Sequence, residues 1–218
     1  MYSYPFGQAA PLANAFVQTL LLLFCPLFIA LVFGGFLGFG LYFANHPLFA
    51  KRRGLHPFIL SVLGLFKSYP FIGLLPLIYL LVQRLTGLSE NVTALLLLTL
   101  GGIVHVAWRF QKALSKVDPH LMEAAAASGL NRRQITLLIL FPEANTYLMH
   151  ATIQSCLFLT SAGAVLGTVA GGGLAGLALR AAFFSPDTPT LATCLASLAV
   201  LFLLLGWLCA HLAGKEKE

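Results

Sequence analysis

Long apolar runs separated by short polar segments dominate the chain, and their lengths set the elements that we expect. A helix needs about 20 apolar residues to cross the roughly 30 Å hydrocarbon core of a bilayer. The runs that meet or approach this length predict five membrane-spanning helices, at about 15–42, 58–82, 92–108, 143–169 and 189–211. The predicted fold class is therefore all-α, a polytopic membrane helical bundle that forms a single domain over 1–218.

Two of these runs carry polar interruptions. Lys67 divides the second run, and Pro70 and Pro76 predict bends because each removes a backbone hydrogen-bond donor. Residues 55–66 are then either the start of that helix or an interfacial elbow, and Lys67 either snorkels to the inner face or lies on a pathway. The third run ends at Trp108–Arg109, an aromatic residue and a cation of the kind that mark a membrane interface.

Composition agrees with a membrane protein and excludes several other classes. Of the 218 residues, 59% are hydrophobic and 9% are charged, whereas soluble domains carry about a quarter charged residues. This balance argues against a soluble enzyme, a disordered protein and a nucleic-acid-binding module. The four cysteines lie in apolar runs and form no CxxC pair, so we expect small apolar thiols and neither a metal site nor a disulfide framework.

The distribution of basic residues predicts the orientation in the membrane. Most of the 13 Lys and Arg residues fall in the segments 44–56 and 109–141 and in the tail after 211. Cytoplasmic loops of membrane proteins carry an excess of Lys and Arg. We therefore expect these segments to be cytoplasmic, the N-terminus to be outside and the C-terminus to be inside.

The polar segment 109–141 contains the pattern of a short helix at about 119–129. Asp118 is a candidate N-cap, Pro119 suits the first helical position, and Gly129 is placed to end the helix. A short helix with a face of alanines is marginal on its own in water. It either inserts into a groove of another protein, which its small side chains permit, or serves only as a connector.

The same segment resembles the EAA motif of ABC importer permeases, in which Glu-Ala-Ala is followed at fixed spacings by Gly, Ile and Pro. The matching residues are Glu123, Ala124, Ala125, Gly129, Ile139 and Pro142. Two further segments, 66–71 (FKSYPF) and 169–175 (VAGGGLA), are similar to segments of the methionine-type permeases, the small five-helix members of that superfamily. The similarity covers most of residues 18–212.

This resemblance implies the permease subunit of an ABC uptake transporter in a bacterial inner membrane, with methionine as the substrate. It implies a homodimer whose copies each bind one cytoplasmic ATPase subunit, and an external binding protein that delivers substrate. Glu123, Ala124, Ala125 and Gly129 would form the coupling contact with the ATPase, and Pro142 would begin the fourth helix. We expect neither catalytic residues nor a cofactor in this chain, because it lacks a phosphate-binding Gly-x-x-x-x-Gly-Lys-Ser/Thr loop; ATP and Mg²⁺ would bind the partner.

Polar residues within the fourth predicted helix recur at roughly helical spacing. Polar groups in the bilayer tend to face a bundle interior or a water-filled path. Their spacing predicts a shared face that either lines the translocation path or makes ordinary interhelical hydrogen bonds. The residues of this stripe are Tyr147, His150, Gln154 and Ser161.

Other functions fit the sequence less well. An ATP-independent secondary transporter or channel is the main alternative, but such proteins usually show intramembrane acidic residues or internal repeats. An intramembrane protease motif of the His-Glu-x-x-His type is absent. The glycines at 171–176 match a dinucleotide-binding pattern but follow a membrane helix, so we expect a flexible turn there. The spacings Gly34/Gly38, Gly163/Gly167 and Gly167/Gly171 either reflect close helix packing or arise by chance in a chain with 20 glycines.

Overall fold

The computed structural model describes residues 9–45, 71–170, 172–184 and 187–214. Every regular element within these residues is helical, so the all-α class is confirmed. The elements are α1 (Ala9–Asn45), α2 (Phe71–Thr86), α3 (Glu90–Leu114), α4 (Pro119–Ala127), α5 (Arg132–Ile135), a π-helical segment (Thr136–Leu140), α6 (Phe141–Ala170), α7 (Gly173–Phe183) and α8 (Thr188–Gly214).

Several of these helices are long and apolar enough to cross a membrane. Among the described residues they are Leu12–Ala44, Glu90–Leu114 and Arg132–Ala170, and shorter apolar helices lie at Gly73–Thr86, Gly173–Phe183 and Thr188–Leu204. Large apolar side chains on these helices stay exposed, among them Phe36 (75%) and Leu203 (72%), as expected where lipid replaces water. The chain is therefore a multi-pass membrane protein.

The helices differ from the predicted ones in several places. The predicted second helix, 58–82, falls partly outside the described residues; its described part is α2. The third predicted helix continues beyond Trp108–Arg109 to the end of α3, because Gln111, Ala113 and Leu114 are buried and extend the packed face of the helix. The helix α7 stands where a flexible glycine turn was expected.

Packing divides the chain into two units. The first comprises Met1–Phe28, Pro70–Leu100 and Leu157–Leu208, and the second comprises Ile29–Tyr69, Gly101–Cys156 and Cys209–Glu218. The first unit has one apolar cluster that joins α1, α2, α3 and α6, and a second that joins α1, α7 and α8. The beginning of α6 and the short helix α4 belong to the second unit.

The start of α7 is held by side chains of α1 in the first unit. Gly173 N–H donates to Gln18 Oε1 at 3.1 Å, and Leu174 N–H donates to Thr19 Oγ1 at 2.8 Å. These bonds satisfy donors that a helix N-terminus leaves without partners. Gly173 has a φ of +67°, and a Cβ there would lie 2.7 Å from Thr19 Oγ1. The glycine therefore serves close packing at the start of α7, and residues 173–176, which were expected to form a turn, belong to this helix.

In the second unit, α1 packs directly on the backbone of α3. A Cβ on Gly34 would lie 2.7 Å from the Ile103 carbonyl oxygen, and one on Gly38 would lie 2.7 Å from the Ala107 carbonyl oxygen. Only residues without a side chain permit this approach. The close packing predicted from the Gly34/Gly38 spacing is confirmed.

Candidate coupling helix and translocation path

The short helix α4 begins at the predicted residues. Asp118 is its N-cap, with an extended backbone (φ −62°, ψ 120°), and its carboxylate accepts a hydrogen bond from the His120 N–H at 3.0 Å. Pro119 lies at the start of the helix, where the N–H that it lacks would have no helical partner. Such a cap stabilises a helix by about 1 kcal/mol. The cap thus defines the start of a helix of only nine residues.

The helix ends in a Schellman motif centred on Gly129. Leu130 N–H donates to the Ala125 carbonyl at 3.2 Å, and Gly129 N–H donates to the Ala126 carbonyl at 3.1 Å. Gly129 has a φ of +83°, in the left-handed region that is unfavourable for residues with a Cβ. A Cβ there would meet nothing within 4 Å. Within this chain the constraint on Gly129 is therefore conformational, and its surface is open to a partner.

The two faces of α4 have different surroundings. Met122 and Ala125 are buried, with 0% and 6% exposure, in the apolar core of the second unit. Glu123, Ala124 and Gly129 are exposed. The expected coupling residues are therefore divided by the fold. Ala125 anchors the helix from behind, and Glu123, Ala124 and Gly129 form the outer surface.

The Glu123 carboxylate has only a weak partner among the described residues. Its Oε2 lies 3.9 Å from His120 Nδ1, and both side chains are largely exposed. The pair carries opposite charges only when His120 is protonated, and exposed pairs of this kind contribute little to stability. The carboxylate is thus exposed to a partner, and the cations Arg132 and Arg133 are exposed on the segment that follows α4. These two line an open depression with Phe43.

Pro142 is the second residue of α6, but the helical backbone starts earlier than expected. Helical structure runs from Arg132 to Ala170, and Thr136–Leu140 form the π-helical segment within it. Phe141 N–H donates to the Thr136 carbonyl, five residues back. A proline ring crowds the carbonyl of the preceding turn, and the wider π turn just before Pro142 relieves this crowding. One continuous helical segment therefore runs from Arg132, close to α4 in the chain, to Ala170.

The predicted polar stripe is divided between the two units. Tyr147, His150 and Gln154 are exposed on the part of α6 that belongs to the second unit. Ser161 belongs to the first unit, where its hydroxyl donates to the Phe158 carbonyl at 2.8 Å. Ser161 is therefore satisfied within its own helix, and the structure groups the other three.

Arg109 of α3, which the sequence placed at a membrane interface, and Lys116, just after the end of α3, both face this stripe. Arg109 Nη1 donates to Gln154 Oε1, and Lys116 Nζ lies 5.2 Å from the Tyr147 ring centroid. Arg109 and Lys116 are seven residues apart, as are their partners Gln154 and Tyr147. The order of the two pairs is reversed along the chain, so the two segments run antiparallel here. One signal in the sequence could have placed Arg109 inside a helix. Gln111 and Leu114, which are buried in the structure, continue the helical spacing past it.

The described residues provide no evident place for a metal. Among them, no group of three His, Cys, Asp or Glu side chains is close enough to hold an ion. Cys25, Cys156 and Cys194 form no disulfide there.

A protein-family model matches most of the chain. The model described as binding-protein-dependent transport system inner membrane component covers residues 36–216. The probable D-methionine transport system permease protein MetI of Vibrio cholerae is 33% identical over 142 residues, which are 65% of this chain and 63% of that protein. The chain thus aligns with slightly less than two thirds of that relative. The Escherichia coli K12 MetI is 28% identical over 69% of this chain and 70% of its own.

Solved structures give a match over nearly the whole chain. A chain of the MetNI methionine ABC transporter, in inward-facing conformations, superimposes with a TM-score of 0.81 at 25% identity. The superposition covers 98% of this chain and 99% of that one. A chain of an amino acid ABC transporter has a TM-score of 0.75 at 16% identity, which supports the fold alone.

Proposed function

The chain belongs to the family of binding-protein-dependent transport system inner membrane components, and from this we propose that it is the permease subunit of an ABC uptake transporter. Its substrate is a small amino acid, and methionine is the first choice because the D-methionine permease proteins and the MetNI transporter are similar to it. ATP and Mg²⁺ bind a separate ATPase chain. An extracytoplasmic binding protein delivers the substrate.

We further propose the arrangement predicted from sequence: five spans, the N-terminus outside, the C-terminus and α4 in the cytoplasm, and a homodimer in a bacterial inner membrane. The basic segments beside α4 support this orientation. Two copies and two ATPase subunits would complete the transporter. The translocation path would run along Tyr147, His150 and Gln154.

The observation that carries the proposal is that α4 is buried on one face and exposed on the other. Its inner face is fixed by Met122 and Ala125 in the core of the second unit, and its outer face exposes Glu123, Ala124 and Gly129. An ATPase that moves this helix would therefore move the unit containing the start of α6. A freely hinged connector would lack the buried inner face.

Gly129→Asp tests the coupling role, and Gly87→Asp is its matched control. Both glycines have positive φ, +83° and +62°, and a Cβ at either would meet nothing within 4 Å. The two variants thus share a similar conformational cost and the same added charge. They differ in place, because Gly87 follows α2 in the first unit, whereas Gly129 ends α4 in the second unit.

We expect Gly129→Asp to insert normally but to bind the ATPase poorly, or to hydrolyse ATP without uptake. Gly87→Asp should retain ATP-dependent methionine uptake in proteoliposomes. Equal uptake by both variants would contradict the coupling role. Uptake by the wild type that needs neither ATP nor an ATPase would instead favour a secondary transporter.

A further inference from the structure

Arg109 is a cation inside a membrane helix, and no acidic side chain among the described residues pairs with it. At a rise of 1.5 Å per residue, about 28 Å of helix separates it from Glu90, so a spanning α3 keeps it near the edge of the hydrocarbon core. Among the described residues the one ion pair joins His120 to Glu123, elsewhere in the chain. Ionisable residues within membrane helices are rare and often mark a functional site.

The hydrogen bonds of Arg109 are also incomplete. Its Nη1 donates to Gln154 Oε1, whereas its Nε is buried and has no acceptor within the described part of the chain. A guanidinium carries five N–H donors in a planar fork that matches a carboxylate. The Gln154 amide nitrogen adds two donors on the same side of α6. The pair therefore offers several donors and a positive charge to an incoming anion.

Positive and polar side chains continue on both segments beside this pair. Lys112 follows Arg109 on α3, Lys116 lies just after the end of α3, and both are exposed. His150 lies between Tyr147 and Gln154 on α6 and is exposed too. The acidic residue of α6, Glu143, is about 16 Å along the helix from Gln154. An anion that reaches Arg109 therefore meets cations and polar groups, and no acidic side chain among the described residues pairs with Arg109.

We infer that Arg109 and Gln154 together bind the carboxylate group of the amino acid that the transporter carries. This inference rests on the proposed function, since it names the part of the substrate that the candidate path recognises. A charge-assisted pair of hydrogen bonds would hold the carboxylate. The amide of Gln154 orients the guanidinium before the substrate arrives, and Lys112 and Lys116 add positive charge beside it.

The phosphate of an anionic lipid is the competing ligand. Lys112 Nζ and Arg109 Cζ lie 5.1 Å and 5.5 Å from the Trp108 ring centroid, an arrangement found at membrane interfaces. The bond to Gln154 favours the carboxylate, because it directs Arg109 toward the polar stripe of α6. A lipid phosphate would require no partner on that stripe.

The test uses the permease purified with its ATPase, in nanodiscs of phosphatidylcholine alone or with phosphatidylglycerol. Binding of radiolabelled L-methionine is measured in competition with L-methioninol, in which an alcohol replaces the carboxylate. Wild type should bind methionine at least about tenfold more tightly than methioninol, which corresponds to about 1.4 kcal/mol. Arg109→Gln should lose this preference, and Arg84→Gln, which removes an exposed cation at the end of α2, should keep it.

Gln154→Glu guards against misfolding as an explanation. It places a carboxylate beside Arg109, so the complex should be at least as heat-stable as wild type while methionine binding falls by about tenfold or more. A merely structural role for the pair predicts that this stabilised variant binds methionine normally, and that result would overturn the inference.

The remaining outcomes also decide between the ideas. Equal affinity of wild type for methionine and methioninol overturns the carboxylate site but leaves ATP-driven uptake intact. An effect of Arg109→Gln only on the response to phosphatidylglycerol assigns the residue to a lipid and rejects the site. Absence of ATP-dependent uptake by wild type, measured in parallel, rejects the proposed function and the site with it.

Discussion

The contact between α1 and α3 gives a prediction whose size follows from the structure. A Cβ at Gly38 would lie 2.7 Å from both the Ala107 carbonyl oxygen and Phe110 Cβ. Ordinary contacts between such atoms are longer than about 3.4 Å, and the backbone oxygen cannot swing aside as a side chain can. Overpacking of this kind costs about 1–3 kcal/mol. Gly38→Ala should therefore separate the two helices and destabilise the second unit.

Gly40→Ala is the matched control on the same helix. A Cβ at Gly40 would meet nothing within 4 Å, and both substitutions gain the same helix propensity, roughly 1 kcal/mol. The difference between the two variants thus isolates the packing term. We expect Gly38→Ala to be less stable than Gly40→Ala by about 1–3 kcal/mol in the free energy of unfolding.

The measurement is a denaturation titration of the purified permease in mixed micelles with increasing SDS, monitored by tryptophan fluorescence and circular dichroism. Gly40→Ala should unfold at or slightly above the midpoint of the wild type. If Gly38→Ala were as stable as Gly40→Ala, the helices would not be in backbone contact there. The reasoning about the Gly34/Gly38 spacing would then be wrong.

Two further predictions concern the helix α4 and the polar stripe. Asp118→Ala removes the N-cap of α4 and should lower the stability of that helix by about 1 kcal/mol, measured as faster amide hydrogen exchange over α4 with exchange in α6 unchanged; equal exchange would contradict the role of the cap. Gln154→Leu and His150→Leu should assemble with the ATPase, checked by co-purification, but should transport more slowly or with lower apparent affinity in proteoliposomes. Wild-type kinetics in both would remove these residues from the path.

Features that depend on a few neighbouring residues could be predicted from the sequence. The start and end of α4 followed from Asp118, Pro119 and Gly129, because caps and left-handed turns are made by residues within one helical turn. The all-helical fold followed from the apolar runs, since a backbone in lipid must satisfy its hydrogen bonds within the segment. The packing glycines of α1 followed from their spacing.

Features that depend on distant partners could not be predicted in this way. The bond between Arg109 and Gln154 joins residues that are 45 positions apart, and nothing local to Arg109 distinguishes it from an interfacial cation. Similarly, Gly173 reads as a flexible residue until Thr19 is placed 2.7 Å from where its Cβ would be.

The amino-acid sequence by itself determined that this protein is a bundle of membrane helices with a short, capped helix that carries the EAA pattern. Both properties arise from desolvation and hydrogen bonding along a continuous segment. Only the tertiary structure decided which face of that helix is free, with Ala125 buried and Ala124 exposed, and which helix faces the polar stripe. Adjacent alanines are chemically identical, and only the core that packs against one of them makes them different.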